Sequence, residues 1–182
     1  MMTVRCMFIL GGLMGGQLQR YKDNNALECA EFPADGEPAI PSRVARLAED
    51  MKQFAEEPRP VVILDEDGKP LKAGDHDRRF FEASWMHKYN GKYYFSYSTG
   101  DTHLLCYAIG DNPYGPFVYQ GVILTPVVGW TTHHCIVDTK ESGICSIMIR
   151  AVGRRTWLRS LKVCELRYDA DGKIEMIEGM DD

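Results

Sequence analysis

An all-β chain is predicted by three observations. The apolar and aromatic runs are short and end in turn signals rather than continuing as long amphipathic stretches. Asn90-Gly91 separates two such runs by the two residues a type I′ hairpin demands, since both central positions need positive φ. Gly100-Asp101, Asn112-Pro113-Tyr114-Gly115 and Asp171-Gly172 then repeat the turn chemistry at short intervals.

The elements follow in order. Val44, Leu47, Met51 and Phe54 fall at helical spacing, so periodicity alone predicts a helix over Arg43 to Glu56. Val61 to Leu64 reads as an apolar strand. Four antiparallel strands are expected at Ala83 to Lys88, Lys92 to Ser98, His103 to Ile109 and Phe117 to Leu124. The second is aromatic, Tyr93-Tyr94-Phe95-Ser96-Tyr97, of the kind that fits a pleated, half-buried surface. A last hairpin joins Leu161–Tyr168 to Lys173–Ile177.

Composition sets the bounds. At 182 residues and 45% hydrophobic, the chain can bury one sizeable core. A net charge of -5 gives no basic footprint for nucleic acid, and no apolar run reaches the ~18 residues of a membrane span. Six cysteines lie scattered without CxxC spacing, which suits free thiols better than a disulfide framework or a zinc site. That usage, with no signal peptide in Met1 to Leu10, points to the cytoplasm.

The most informative segment is Phe80 to Thr99, FFEASWMHKYNGKYYFSYST. Glu82 stands at the entry to a strand among apolar and aromatic residues, a setting in which desolvation can raise a carboxyl pKa, as a general acid requires. A strand-edge glutamate in contact with water fits the same pattern. The segment resembles the acid-bearing blade of glycoside hydrolase family 43, five-bladed β-propellers that cleave xylosides and arabinofuranosides. GGLMGGQLQRY (Gly11 to Tyr21), RVARLAEDM (Arg43 to Met51), GDHDRRFFEASW (Gly74 to Trp85), NPYGPF (Asn112 to Phe117) and GVILTPVVGWTTHH (Gly121 to His134) extend the resemblance. YSTGDTH (Tyr97 to His103) and LRSLKVCELRYDADGKI (Leu158 to Ile174) complete it, and the nearest branch is that of β-xylosidases and α-L-arabinofuranosidases.

The resemblance implies about three blades in a single partial propeller: a partial blade over 1–65, a complete one over 82–124, and a damaged last one over 133–178. It replaces the front of the expected helix with a strand from Arg43 followed by a helical turn. It implies an inverting mechanism on xylo- or arabino-oligosaccharides, in which Glu82 is the general acid, a second carboxylate activates water, and a third holds the acid's pKa up. The latter two would lie upstream of this chain, so Asp75, Asp77 and Asp101 are expected to be loop carboxylates, with Asp77 and Arg78 pairing near the cleft. His133 would lie at the propeller centre beside a calcium ion, although calcium prefers oxygen ligands. His103, Trp130, Thr132, His133 and Arg159 would contact the sugar, with Thr131 beside them. Core packing for Trp130 and a surface position for Arg159 fit the residues equally well. Trp85, Phe95 and Tyr97 are expected in the core between blades. A non-catalytic carbohydrate-binding remnant is the rival expectation.

Two stretches break the resemblance, Met1 to Leu10 and Asp138 to Arg155. Reading the last base of each codon with the first two of the next repairs both. Met148 ends in G and Ile149 begins AT, which forces GAT, aspartate, and the pairs from Ser142 onward permit Trp-Tyr-Leu-Phe-Tyr-His before it. Met1-Met2 and Met2-Thr3 force two aspartates and Met7-Phe8 forces valine, within a permitted Asp-Asp-Gly-Lys-Val-Tyr-Val-Tyr-Phe. A frameshift, with Met1 a spurious start inside a longer gene, is therefore expected, and Asp138 to Arg155 should be the least well packed part of its unit. DNA sequencing around codons 10, 140 and 155 should reveal insertions or deletions relative to close relatives; an intact frame at these places overturns the reading.

Overall fold

Strands and turns make up the chain, and no helix occurs among the described residues. The computed structural model describes residues 6–11, 21–22, 25–29, 33–127, 133–139, 143–151 and 159–177. The first strand, β1 (Met7–Leu10), is followed by a small hairpin of β2 (Tyr21–Lys22) and β3 (Asn25–Cys29). Next, β4 (Arg43–Arg46) pairs antiparallel with β1 on one side and with β5 (Arg59–Pro60) on the other. A short β6 (Ile63–Leu64) runs parallel to the later strand Phe117–Leu124.

The helix expected from periodicity does not form. Arg43 does begin a strand, but the residues after it make a tight loop closed by Ala48 N–H to the Gln53 carbonyl and Ala55 N–H to the Arg46 carbonyl, both at 2.9 Å. Met51 has φ of 57°, which no helix accepts, and it is 60% exposed. Val44 is fully buried while Phe54 is 42% exposed, so the four positions share no buried face. Helical spacing predicts a helix only where one stripe meets a core, and here only the front of the segment does.

Four consecutive antiparallel strands form the best-developed unit: β7 (Glu82–Tyr89), β8 (Lys92–Ser98), β9 (Leu105–Gly110) and β10 (Phe117–Leu124). Their ends lie within two residues of the expected ones. Asn90 and Gly91 take φ of 46° and 79°, the geometry a type I′ turn requires. At the far turn, Asn112 accepts the Tyr114 N–H at 3.0 Å, and Gly115 bends the chain at φ of 77°.

This sheet is buried on both faces, not on one as the sequence pattern suggests. Along β8 the side chains alternate between two cores. Phe95 and Tyr97 join Val44 and Val61 of the preceding unit, with Phe80, Cys106 and Phe117. Tyr94 faces the other way, with Leu105, Tyr107 and Ile123, against Ile136 and Leu166 of the following unit. Burial pushes the Cys106 thiol up to about 12, so that cysteine is an inert packing residue.

The following unit comprises β11 (His134–Thr139), β12 (Gly143–Ala151) and β13 (Arg159–Leu166), with β12 at the centre. β12 pairs with β11 from Thr139↔Gly143 to His134↔Met148 and with β13 from Ile144↔Leu166 to Ala151↔Arg159. Its side chains, on which the expected poor packing turns, lie outside the described residues. The chain then returns through Tyr168–Ile177 and docks on the β7–β10 sheet. Gly172 makes the expected turn at φ of 80°. The Gly172 carbonyl accepts the Tyr94 hydroxyl at 2.6 Å, the Ile174 N–H reaches the Tyr107 hydroxyl at 2.9 Å, and the Ile177 N–H reaches the Ile123 carbonyl at 2.7 Å.

His87 on β7 sits inside this junction, its Nε2 2.6 Å from the Tyr168 hydroxyl and its ring stacked on Tyr94. Burial holds its pKa down to about 4, against an ordinary 6.5. Between those values the folded state binds fewer protons than the unfolded one, so stability falls as pH drops through the window, by about 3 kcal/mol in full. Urea denaturation measured from pH 7 to pH 4 should show that loss. His87→Phe, which has no proton to bind, should flatten the slope even though it lowers stability at pH 7; an unchanged slope would mean that another group carries it.

Candidate active site

Glu82 is the first residue of β7 and pairs with Ser98, the last of β8. The register shifts between Glu82 and Trp85, and Ala83 in that bulge has φ of 56°. A bulge in a left-handed conformation re-aims the side chains beside it, so the half-buried Glu82 is set at an angle that a regular strand would not give it. The strain of a non-glycine residue at positive φ is of order 1–3 kcal/mol and persists only where the surroundings impose it.

The turn after β8 carries the second candidate. Gly100 has φ of 85°, and the Phe81 ring leans against it. His103 closes the turn through its N–H to the Gly100 carbonyl at 2.9 Å and itself has φ of 55°. The Thr99 hydroxyl lies 2.6 Å from that of Thr102 and accepts the Leu104 N–H at 3.0 Å. Because Ser98 pairs with both Glu82 and Leu105, Glu82 and the His103 turn lie at the same end of the sheet.

The third candidate comes from the next unit. β11 packs beside β7, fixed by the Trp85 indole N–H to the Ile136 carbonyl at 3.0 Å and by His134 Nε2 at 2.7 Å from the Ser96 hydroxyl. His133 is exposed immediately ahead of β11, as Glu82 stands at the head of β7. Arg159 is the first residue of β13, opposite Ala151; its side chain lies outside the described residues. Trp130, Thr131 and Thr132 also lie outside them. Trp85, Phe95 and Tyr97 belong to the cores rather than to a ligand surface.

Arg78 does not pair with Asp77. Its guanidinium meets Asp75 at 3.0 Å and Glu66 at 3.2 Å. The reason is local: the Arg78 N–H bonds the Asp75 carbonyl in one turn, which brings those two side chains together. Burial alone would raise the Asp75 carboxyl, but the Lys72 N–H at 2.7 Å and the Arg78 guanidinium bring it below the usual range. Sequence reasoning also missed a cluster behind the site. His76 Nδ1 is hydrogen-bonded to Asp101, and Arg79, with its side chain 6% exposed, reaches the other carboxylate oxygen at 3.4 Å. The run of charges in GDHDRR, next to so apolar a segment, was the available signal. Among the described residues no group of three or more His, Cys, Asp or Glu could hold a metal.

Over 94% of its length the chain is 74% identical to a xylosidase/arabinosidase of Bacteroides ovatus. The chain belongs to glycoside hydrolase family 43. Among solved family 43 structures it superimposes on RS223 β-xylosidase with a TM-score of 0.87 at 64% identity, over 95% of this chain and 54% of that one. It matches equally well, at 50% identity over 95% and 54%, a β-xylosidase/α-arabinofuranosidase from a compost metagenome, solved with xylotriose in a calcium-free form. The chain spans about half the length of the curated relatives it matches, 53% of the Bacteroides ovatus enzyme. No family model matches it.

The contact between Phe81 and Gly100 gives a direct check on the site's scaffold. A Cβ at Gly100 would lie 2.4 Å from the Phe81 ring, whereas one at Gly68, with a similar φ of 76°, would meet nothing. Gly100→Ala should therefore cost roughly 2–4 kcal/mol and Gly68→Ala about 1. Urea unfolding compares the two; equal losses would show that Phe81 does not brace the turn.

Proposed function

We propose that the chain is the acid-bearing portion of an inverting glycoside hydrolase acting on xylosidic or arabinofuranosidic bonds in hemicellulose-derived oligosaccharides. In this reading three successive sheets are propeller blades, over 1–65, 82–124 and 133–178, the second of them complete. Glu82 is the general acid. The observation that carries the reading is that Glu82 and the His103 turn lie at the same end of one sheet, with a left-handed bulge directly after Glu82.

Each residue has a task in this chemistry. Glu82 donates its proton to the leaving oxygen as the glycosidic bond breaks, while water activated by a second carboxylate attacks from the opposite face. The resemblance puts that second carboxylate, and the one that tunes the acid, in the part of the relatives that this chain does not span. His103 and His133 offer imidazole nitrogens to sugar hydroxyls, and Trp130, Thr132 and Arg159 complete the contacts. Calcium enters only through His133, as one imidazole beside water and oxygen donors. A relative complexed with xylotriose supports the choice of substrate.

The test uses two proteins. The 182-residue chain should not hydrolyse an aryl xyloside or arabinofuranoside at a useful rate. The same chain joined to the part of the Bacteroides ovatus enzyme that it does not span should do so, and Glu82→Gln there should lower kcat by about 10²–10⁴-fold. Hydrolysis by the Glu82→Gln protein within tenfold of its parent would remove Glu82 from the acid's role. Xylotriose binding without turnover by the joined protein would favour a carbohydrate-binding remnant instead.

A further inference from the structure

Two residues at the proposed site, Ala83 directly after Glu82 and His103, hold left-handed backbone conformations without being glycine. Such conformations last only where neighbours impose them. A charged cluster of His76, Arg79 and Asp101 links the segments that carry them.

We propose that Asp101 is a positioning residue, whose carboxylate clamps the segment leading into Glu82 to the turn that presents His103. The inference rests on the functional reading of those two residues given above. One arm of the clamp is Arg79, three residues before Glu82. Its Nε donates to the Ala73 carbonyl at 2.7 Å and its Nη2 to Asp101 Oδ1 at 3.4 Å. Asp101 is the carboxylate within ion-pair reach of that buried guanidinium among the described residues. A buried guanidinium left without its counter-charge is costly, more so than the pair is favourable.

The other arm is His76. Its Nδ1 lies against Asp101 Oδ2 and also 3.3 Å from Arg79 Nη2. A ring nitrogen cannot donate to the carboxylate and accept from the guanidinium at once. The arrangement consistent with these contacts has Nδ1–H and Nη2–H each donating to one oxygen of Asp101. The His76 carbonyl accepts the Thr102 hydroxyl at 3.1 Å, and the Phe81 N–H bonds the Ser98 carbonyl at 2.9 Å. Between the clamp and Glu82 stand Phe80, 2% exposed in the core, and Phe81, pressed on Gly100. Little slack remains between Arg79 and Glu82, so what holds the first aims the second.

Asp101 is itself 51% exposed, so its replacement need not unfold the sheet. Hydrogen exchange by NMR on the full chain separates local clamping from general stability. In Asp101→Asn, which keeps shape and loses charge, the amides of Phe81, His103 and Leu104 should exchange together about fivefold faster or more, while those of Phe95 and Ala108 in the β8–β9 ladder keep their rates. Asp101→Glu, which restores the charge, should return the three amides to within about twofold of wild type. Acceleration at one segment alone, acceleration equal at Phe95 and Ala108, or no rescue by glutamate overturns the proposal. So does the same pattern in Asp111→Asn, which breaks the Lys92–Asp111 pair elsewhere on the sheet.

Titration with xylotriose divides the clamp from the functional reading. Asp101→Asn should bind it with a Kd about tenfold higher than wild type. Equal affinity in both proteins overturns the positioning role. Absence of binding by either, with the exchange pattern intact, removes the sugar site and leaves the clamp standing.

Discussion

The structure depends on a sheet that has no solvent face. From Tyr94 to Ser98 no residue of β8 is more than marginally exposed, and a strand of period two can be buried this way only if something apolar covers each side. The preceding unit covers one side and the following unit the other. Burying aromatic side chains twice over is strongly favourable at roughly 25 cal/mol per Å² of apolar surface, but it leaves hydroxyls to satisfy. Tyrosine solves both problems, since its ring fills the core and its tip reaches a neighbour. Tyr97 donates to the Arg78 carbonyl, Tyr94 to the Gly172 carbonyl, and Tyr107 accepts the Ile174 N–H. Each bond contributes about 1 kcal/mol, and each also fixes the register of one unit on the next.

The proposed chemistry lies where that pairing stops. Glu82 is the first residue of β7, His103 lies in a turn, and His133 immediately precedes β11, so each stands at the margin of its ladder. Their supports are nevertheless drawn from the two-sided core: Phe80 from one cluster, Trp85 and Ile136 from the other. Precision at a site of this kind comes from rigid elements beneath it and not from the loops themselves. The left-handed residues Ala83 and His103 are the visible cost of turning side chains away from the regular lattice of the sheet.

Strands and turns were legible in the sequence because their causes are local. Asn90-Gly91, Asn112 to Gly115 and Asp171-Gly172 each carry the residues their φ values require, and the strands between them follow. The Arg43 to Glu56 segment failed for the opposite reason: its spacing is helical, but the core lies only under Val44 and Ala45. The bulge at Ala83 left no mark, since alanine does not announce a positive φ. The pairing of Arg78 with Asp75 rather than Asp77 depends on a single turn, and the Arg79–Asp101 contact spans residues no short-range pattern relates. The resemblance singled out Glu82, but its neighbours in space are tertiary facts.

The last unit shows why backbone pairing and sequence can part company. β12 is hydrogen-bonded on both sides along most of its length, and every residue but proline brings the same donor and acceptor to a ladder. Gly-Ile-Cys-Ser-Ile-Met-Ile can therefore occupy the register that Trp-Tyr-Leu-Phe-Tyr-His-Asp would fill in the proposed shifted frame. The two differ in what they offer the faces of the sheet. Cysteine, serine and isoleucine are much smaller than tryptophan, tyrosine and phenylalanine, and a core packed like an organic crystal registers a deficit of that size as lost contact on each side. Strand pairing thus accommodates either reading. The β7–β10 sheet shows what fills its faces, with Tyr93, Tyr94, Phe95 and Tyr97 along its second strand. The second strand of the last unit holds such residues only in the shifted frame.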